Sequence, residues 1–223
     1  MRVSQAIEKR ISCRAFSSKC VNLTQIKTIL EKATRSPSGG NLQPWHLFAV
    51  SGNALRNLLM EVEQELKLFP KGHTAEYPVY PKELAEPYTG RRFKCGEDLY
   101  SILNIGREQK EKRKEQFARN FKLFDAPVGL FVFIDRNMGG AQWSDVGMYL
   151  QNIFLLAKEY GLDTCALESW AVFHQLVQKH VSAPKNLMLF CGIAMGYMDN
   201  NNRINTLNTE RASIAEIADF IGF

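Results

Sequence analysis

The spacing of hydrophobic and polar positions changes several times along the chain. Over residues 24–35 the apolar side chains Ile26, Ile29, Leu30 and Ala33 follow the i, i+3, i+4, i+7 rule of an amphipathic helix, with Thr24 as its candidate cap. Pro37 closes that helix, because it pushes Ser36 toward extended geometry. Residues 46–51 read as a short buried strand. Helical spacing returns over 53–69 through Leu55, Leu58, Leu59, Val62 and Leu66. From 70 to 96 the period vanishes, and Pro70, Pro78, Pro81 and Pro87 all fall there. A structureless stretch of that length in a compact domain is usually functional or mobile.

Residues 97–122 read as helix again. Its section 107–119 carries charges of both signs at i, i+4 spacing, the mark of a solvated face and not of a nucleic-acid patch. The run 128–134, Val-Gly-Leu-Phe-Val-Phe-Ile, predicts a central strand buried on both faces. Residues 144–160 are apolar nearly all round through Met148, Leu150, Ile153, Phe154, Leu155 and Ala157, so they predict a buried helix, stopped by Gly161. Strands are read at 163–167 and 187–193. Ser213 and Glu216 form a capping box that opens a last short helix. Helices and strands interleave without a regular βαβ beat, which predicts an α+β fold in one domain spanning 1–223.

Composition narrows the class. The chain has 223 residues, 45% of them apolar and 23% charged, which excludes a disordered chain and a disulfide miniprotein. No apolar run reaches the length of a transmembrane helix, and charge arrives too early at the N-terminus for a signal peptide, so a cytoplasmic location is expected. Five cysteines with no C-x-x-C spacing argue for reduced thiols and against zinc. The net charge of +5 is mild and suits either solubility or an anionic ligand.

Several chemistries are missing. There is no G-x-G, no Walker A, no G-x-S-x-G and no H-E-x-x-H, so a bound cofactor is the natural carrier of any reaction. Three segments remain. Arg10 and Arg14 flank Ser12, a pair of guanidinium forks around a hydroxyl that suits phosphate. The loop 36–45 joins a helix to a strand with small residues, Asn41 and Gln43, which permit close backbone approach and hydrogen bonding to a flat ligand. The turn 161–170 leaves a strand at Glu168 and Ser169, where ligands often sit in sheet proteins.

In this order the segments resemble the FMN-dependent nitroreductase family, over nearly the whole chain. Arg-x-Ser-x-Arg-x-Phe stands at 10–16, Pro-Ser-Gly-x-Asn-x-Gln-Pro-Trp at 37–45 and Gly-Leu-Asp-Thr-Cys at 161–165. Gly196-Tyr197 and Thr209-Glu210-Arg211-Ala212 complete the set. The middle of the chain, from Arg91-Arg92 to Ala126-Pro127, is similar to the nitrobenzoate-reductase branch.

The resemblance implies a mostly antiparallel sheet flanked by helices and an intertwined homodimer with FMN at the subunit interface. It implies that Arg10, Ile11, Ser12, Arg14 and Arg211 hold the FMN phosphate and ribityl chain. Pro37, Ser38, Gly39 and Asn41 would line the isoalloxazine ring, in some members from the other subunit. Ala166, Leu167, Glu168 and Ser169 would stand against the N5 side of the ring. Thr209 occupies a place where some branches carry a lysine, so the phosphate falls to the arginines. NAD(P)H is the implied electron donor, nitroaromatics or quinones the implied acceptors, and a shared cleft implies ping-pong kinetics. No residue need act as a nucleophile, and protons can come from water. The segment 70–96 with the helix after it is the candidate substrate lid, on the strength of its length and of Tyr77, Tyr80, Tyr88 and Phe93. Specialised relatives, dehalogenase-like or flavin-fragmenting, and a flavin-binding redox sensor remain alternatives. A nucleic-acid or membrane partner is not expected.

Overall fold

The fold is built around the apolar run at 128–134, which lies in the middle of the sheet as its composition requires. The computed structural model describes residues 1–223. In chain order it contains α1 (Val3–Lys9), α2 (Leu23–Ala33), β1 (Trp45–Ser51), α3 (Gly52–Leu68), α4 (Tyr88–Ile102), α5 (Lys110–Ala118), β2 (Val128–Asp135), α6 (Gly140–Glu159), β3 (Asp163–Leu167), α7 (His174–His180), β4 (Leu187–Gly196) and α8 (Ile214–Ile217). The four strands form one sheet in the order β1-β2-β4-β3, antiparallel throughout.

Alternation along β2 divides the core into two layers. Val128, Leu130, Val132 and Ile134 pack against Ile26, Ile29 and Ala33 of α2 and Val146, Leu150 and Ile153 of α6. Phe131 and Phe133 face the other way, onto Leu55, Leu58 and Val62 of α3 and onto Trp170, Phe173 and Val177. The run is therefore apolar because both faces of the strand are covered. β4 changes parity in its middle. Val132 pairs with Cys191 but Phe133 pairs with Leu189, so Phe190 is bulged out of the ladder. The bulge sends Leu189 to the α3 side and Cys191 and Ile193 to the α6 side. It also leaves the Phe190 carbonyl to accept from the Tyr77 hydroxyl.

Several elements differ from the sequence reading, each for a physical reason. Asn22, not Thr24, caps α2, because its Oδ1 accepts from the Thr24 amide at 2.8 Å. The segment read as one helix over 97–122 is two helices, and the first begins at Tyr88, inside the stretch read as aperiodic. Neither α4 nor α5 buries a residue, so core packing imposed no period on them. Between them Asn104 takes φ 55°, and Arg113 fastens the turn by donating to the carbonyls of Ile105 and Gly106. α6 starts at Gly140, and it is not covered all round, since Met148 and Gln151 are exposed. Gly161 does stop it, at φ +74°. α1 and α7 were not apparent from the pattern. The Ser213–Glu216 capping box is present, with the Ser213 amide donating to Glu216 Oε1 at 2.8 Å.

Candidate functional site

The edge of the sheet at β3 is where two of the three conspicuous segments meet. Nothing in the named strands lies outside β3, and the chain from Arg10 to Phe16 meets that edge at Thr164 before passing to Tyr197 and Met198 beyond β4. Ser12 forms an isolated parallel bridge with Thr164, and the Cys13 amide donates to the Thr164 carbonyl at 3.0 Å. The segment is held at its far end too, where the Arg14 amide donates to Asn205 Oδ1 at 2.8 Å. Apolar Cys13 and Ala15 turn inward and are buried, so Arg10, Ser12 and Arg14 are left on the outer side.

A cavity of about 640 Å³ opens on that outer side. Its lining includes Arg10, Ile11, Ser12 and Arg14, and Arg211 with Thr209 from the C-terminal chain. The Arg14 guanidinium donates to the Ser12 carbonyl at 3.2 Å, and Arg211 bonds to Thr209 and to the Glu210 carbonyl. None of the three arginines pairs with a carboxylate. Of the two acids in the lining, Glu210 is taken up by Lys94 at 3.2 Å, and only Glu8 opposes an anion. Three guanidinium groups with hydroxyls from Ser12 and Thr209 form a donor set for a phosphate. Both Arg14 and Arg10 lie close enough to Cys165 to pull its thiol pKa down, against burial, which is the larger effect and raises it.

At the exit of β3 the chain turns through a 3-10 segment, Glu168–Phe173. Leu167 and Trp170 are buried there while Ala166 is exposed. Glu168 is exposed as a residue, and partial loss of water around its carboxyl raises it above its ordinary range. Ser169 Oγ is buried and has no hydrogen-bond partner, an orphaned donor and acceptor at the end of the strand. The same corner is closed by Tyr77, whose ring meets Trp143 and Phe190 edge-on or tilted at 5.1 and 6.0 Å. Residues 73–77 are thus pinned down, with Glu76 bonded to Arg136 and His73 donating its amide to the Val172 carbonyl at 3.0 Å.

The third segment is elsewhere in the chain's own fold. Pro37, Ser38, Gly39 and Asn41 do not line the arginine cavity. They are held against α6, where the Gly39 amide donates to the buried Asp145 carboxylate at 3.2 Å and Asn152 donates to Ser36 Oγ at 2.6 Å. Trp45 stacks on Tyr149 with centroids 4.7 Å apart. Asp145, Tyr149 and Asn152 stand at i, i+4 and i+7, one stripe of the helix. Gly40 at φ +57° supplies the turn. Of the residues singled out in the sequence, the cavity therefore unites Arg10, Ile11, Ser12, Arg14 and Arg211, and leaves outside it both the 37–41 loop and Ala166, Leu167, Glu168 and Ser169. Sequence reasoning missed Gln151 and Cys95, which also line the cavity. A signal for Gln151 existed, since it and Asn152 interrupt an otherwise apolar stretch.

Known proteins share this fold. The model of the Nitroreductase family matches residues 7–197. A nitrobenzene nitroreductase from Ectopseudomonas oleovorans is 32% identical over 219 residues, covering 98% of this chain and 96% of its own. The crystal structure of the FMN and NADPH-dependent nitroreductase NfnB from sphigopyxis sp. strain HMH superimposes with a TM-score of 0.97 at 38% identity, over 100% of both chains. The FMN-dependent NfnB from Mycobacterium smegmatis in complex with NADPH gives a TM-score of 0.90 at 26% identity, over 98% of this chain and 99% of that one.

Proposed function

The chain belongs to the nitroreductase family, and we propose on that footing that it is an FMN-dependent NAD(P)H oxidoreductase that reduces nitroaromatic compounds. The observation that carries this reading is the cavity lined by Arg10, Arg14 and Arg211, none paired with a carboxylate, around Ser12, whose backbone bridges to Thr164 of β3. The residues fit the cofactor. The phosphate falls on the three guanidinium groups, and the orphaned Ser169 Oγ stands at the opposite end of β3, where the polar edge of a flavin ring needs hydrogen bonds. From Thr164 to Glu168 the strand advances about 13 Å at ~3.3 Å per residue, a span suited to a ligand with a phosphate at one end and a ring at the other.

When bound, FMN supplies hydride acceptance from NAD(P)H and electron delivery to the nitro group. The chain's own residues bind and orient. Arg10, Ile11, Ser12, Arg14 and Arg211 fix the phosphate and ribityl end. Ala166, Leu167, Glu168 and Ser169 border the N5 side of the ring. Donor and oxidant share one cleft and use it in turn, and quinones, flat and electron-poor, are accepted as well as nitroarenes. The segment 70–96, with the α4–α5 pair, forms the substrate-facing wall.

The working unit is a homodimer, in which Pro37, Ser38, Gly39 and Asn41 border the partner's ring. Two features support this. The loop lies outside the chain's own cavity, and Ile214, Ile217, Phe220, Ile221 and Phe223 leave an apolar C-terminal strip exposed. No helix is long and apolar enough to cross a membrane.

Initial rates with NADPH and nitrobenzene varied together test the shared cleft: double-reciprocal lines run parallel if the donor leaves before the oxidant enters. Intersecting lines contradict it. Thiol labelling tests the cavity. Cys20 is exposed and Cys95 half-buried, whereas burial raises the thiol pKa of Cys13 to about 12 and keeps those of Cys165 and Cys191 above the ordinary range. Maleimide on the apoprotein is expected to label Cys20 and Cys95, and FMN is expected to protect Cys95 alone. Equal protection of both, or of neither, removes Cys95 from the cofactor cavity.

A further inference from the structure

A second cavity, of about 430 Å³, is left unused by that reading. Tyr80, Leu99, Tyr100, Phe117 and Phe124 wall it, together with Arg92. It meets the phosphate cavity along Arg14 and Cys95, which line both. α4 and α5 bury no residue, so Leu99, Tyr100 and Phe117 are not spent on the core, whereas Phe124 belongs to it and forms the floor. The cations around it are nearly all paired. Arg91 meets Glu216 at 3.4 Å, Lys94 meets Asp98 at 2.7 Å, and Arg107 and Arg113 share Glu97 at 3.0 and 2.7 Å. Besides Arg14, which the phosphate cavity already claims, Arg92 is the exception on this face. Its guanidinium lies 4.0 Å above the Tyr80 ring and has no carboxylate or hydrogen-bond partner.

We propose that this cavity takes the adenosine 2′-phosphate end of NADPH, with the purine against the aromatic wall and the 2′-phosphate on Arg92. The proposal rests on the flavin reading above. Aromatic rings offer a stacking surface to a purine, and an unpaired guanidinium offers a fork to a phosphate monoester. Position favours a long ligand over a small one. Ala166, Leu167, Glu168 and Ser169, which border the reacting side of the ring in that reading, line neither cavity. A nitroarene seated among Tyr80, Tyr100 and Phe117 rests on the phosphate side and cannot react from there. A dinucleotide can keep its adenosine end there while its nicotinamide reaches the exit of β3.

The test uses the FMN-loaded protein and two unreactive probes, 2′-phospho-ADP-ribose and ADP-ribose, followed by calorimetry. Wild-type protein is expected to bind the phosphorylated probe more tightly. Arg92→Gln is expected to erase that difference and to raise KM for NADPH about tenfold, the loss of one charged phosphate contact, with little change in KM for NADH. Arg92→Lys recovers part of the preference, and Tyr80→Leu weakens both probes alike. Equal affinity of the wild type for the two probes overturns the proposal. So does an Arg92→Gln protein whose KM rises equally for NADPH and NADH, or only for an anionic acceptor such as 4-nitrobenzoate. Flavin content and reduction by NADPH, measured on the same preparations, separate the two readings. A flavin-loaded, NADPH-reducible protein without an Arg92 effect loses only this assignment, and a protein that takes up no FMN loses both.

Discussion

Replacing Arg10 and Arg211 together by alanine is expected to raise the dissociation constant for FMN by about a hundredfold or more. Each hydrogen bond to a charged group contributes roughly 1.5–3 kcal/mol, and every ~1.4 kcal/mol is tenfold in affinity. Fluorescence titration of the apoprotein with FMN reads the change directly. The fold is expected to tolerate the double substitution, because Arg10 makes no side-chain bond and Arg211 bonds only to Thr209 and Glu210 beside it. An unchanged thermal midpoint of the apoprotein checks that point. The two residues come from opposite ends of the chain, so a joint effect also tests the junction itself. An FMN affinity equal to wild type removes the phosphate from this cavity.

Trp170→Ala is expected to cost about 3–5 kcal/mol of stability, the range for truncating a large aromatic side chain in a packed core. Trp170 is fully buried, donates from Nε1 to the Asn120 carbonyl at 3.0 Å, and meets Phe131 and Phe121 edge-on at 5.0 and 6.3 Å. The neighbouring strand is shaped around it, since a Cβ on Gly192 would lie 3.0 Å from the indole ring. Alanine leaves both a cavity and a part-buried carbonyl without its donor. Trp170→Phe keeps most of the volume and is expected to cost less. Urea unfolding of the apoprotein measures both. A loss under about 1 kcal/mol for Trp170→Ala contradicts the packing described, because ordinary surface substitutions lie within ±0.5 kcal/mol. The effect extends to the site, because the same 3-10 segment carries Glu168 and Ser169.

What was legible in the sequence follows from what local rules control. β2 announced itself because both of its faces are buried, and α3 because one face packs on the sheet. The Ser213–Glu216 box was legible because its bonds span three residues. α4 and α5 were misread as loop and as one helix, since no core contact stamps a period on them. The bulge at Phe190 has no local signature. Leu123, Phe124 and Asp125 all take positive φ, between 49° and 67°, without a glycine. Such geometry is disfavoured for these residues and persists because Leu123 and Phe124 are locked into the core while the Phe124 carbonyl accepts from the Phe16 amide. The site divides in the same way. Its motifs stood out one by one, but the Ser12–Thr164 bridge that lays the arginines on β3 joins segments some 150 residues apart. Cys95 enters the cavity only through the placement of α4.

In the proposed reaction this chain holds FMN and passes electrons from NAD(P)H to a nitro group. The most direct test is the visible spectrum of the purified protein, followed through anaerobic addition of NADPH or NADH and then nitrobenzene. The protein is expected to be yellow, with a flavin band that bleaches with the reduced nucleotide and returns with the nitroarene. A colourless protein that cannot be reconstituted with FMN, or a flavin band that neither nucleotide bleaches, contradicts it.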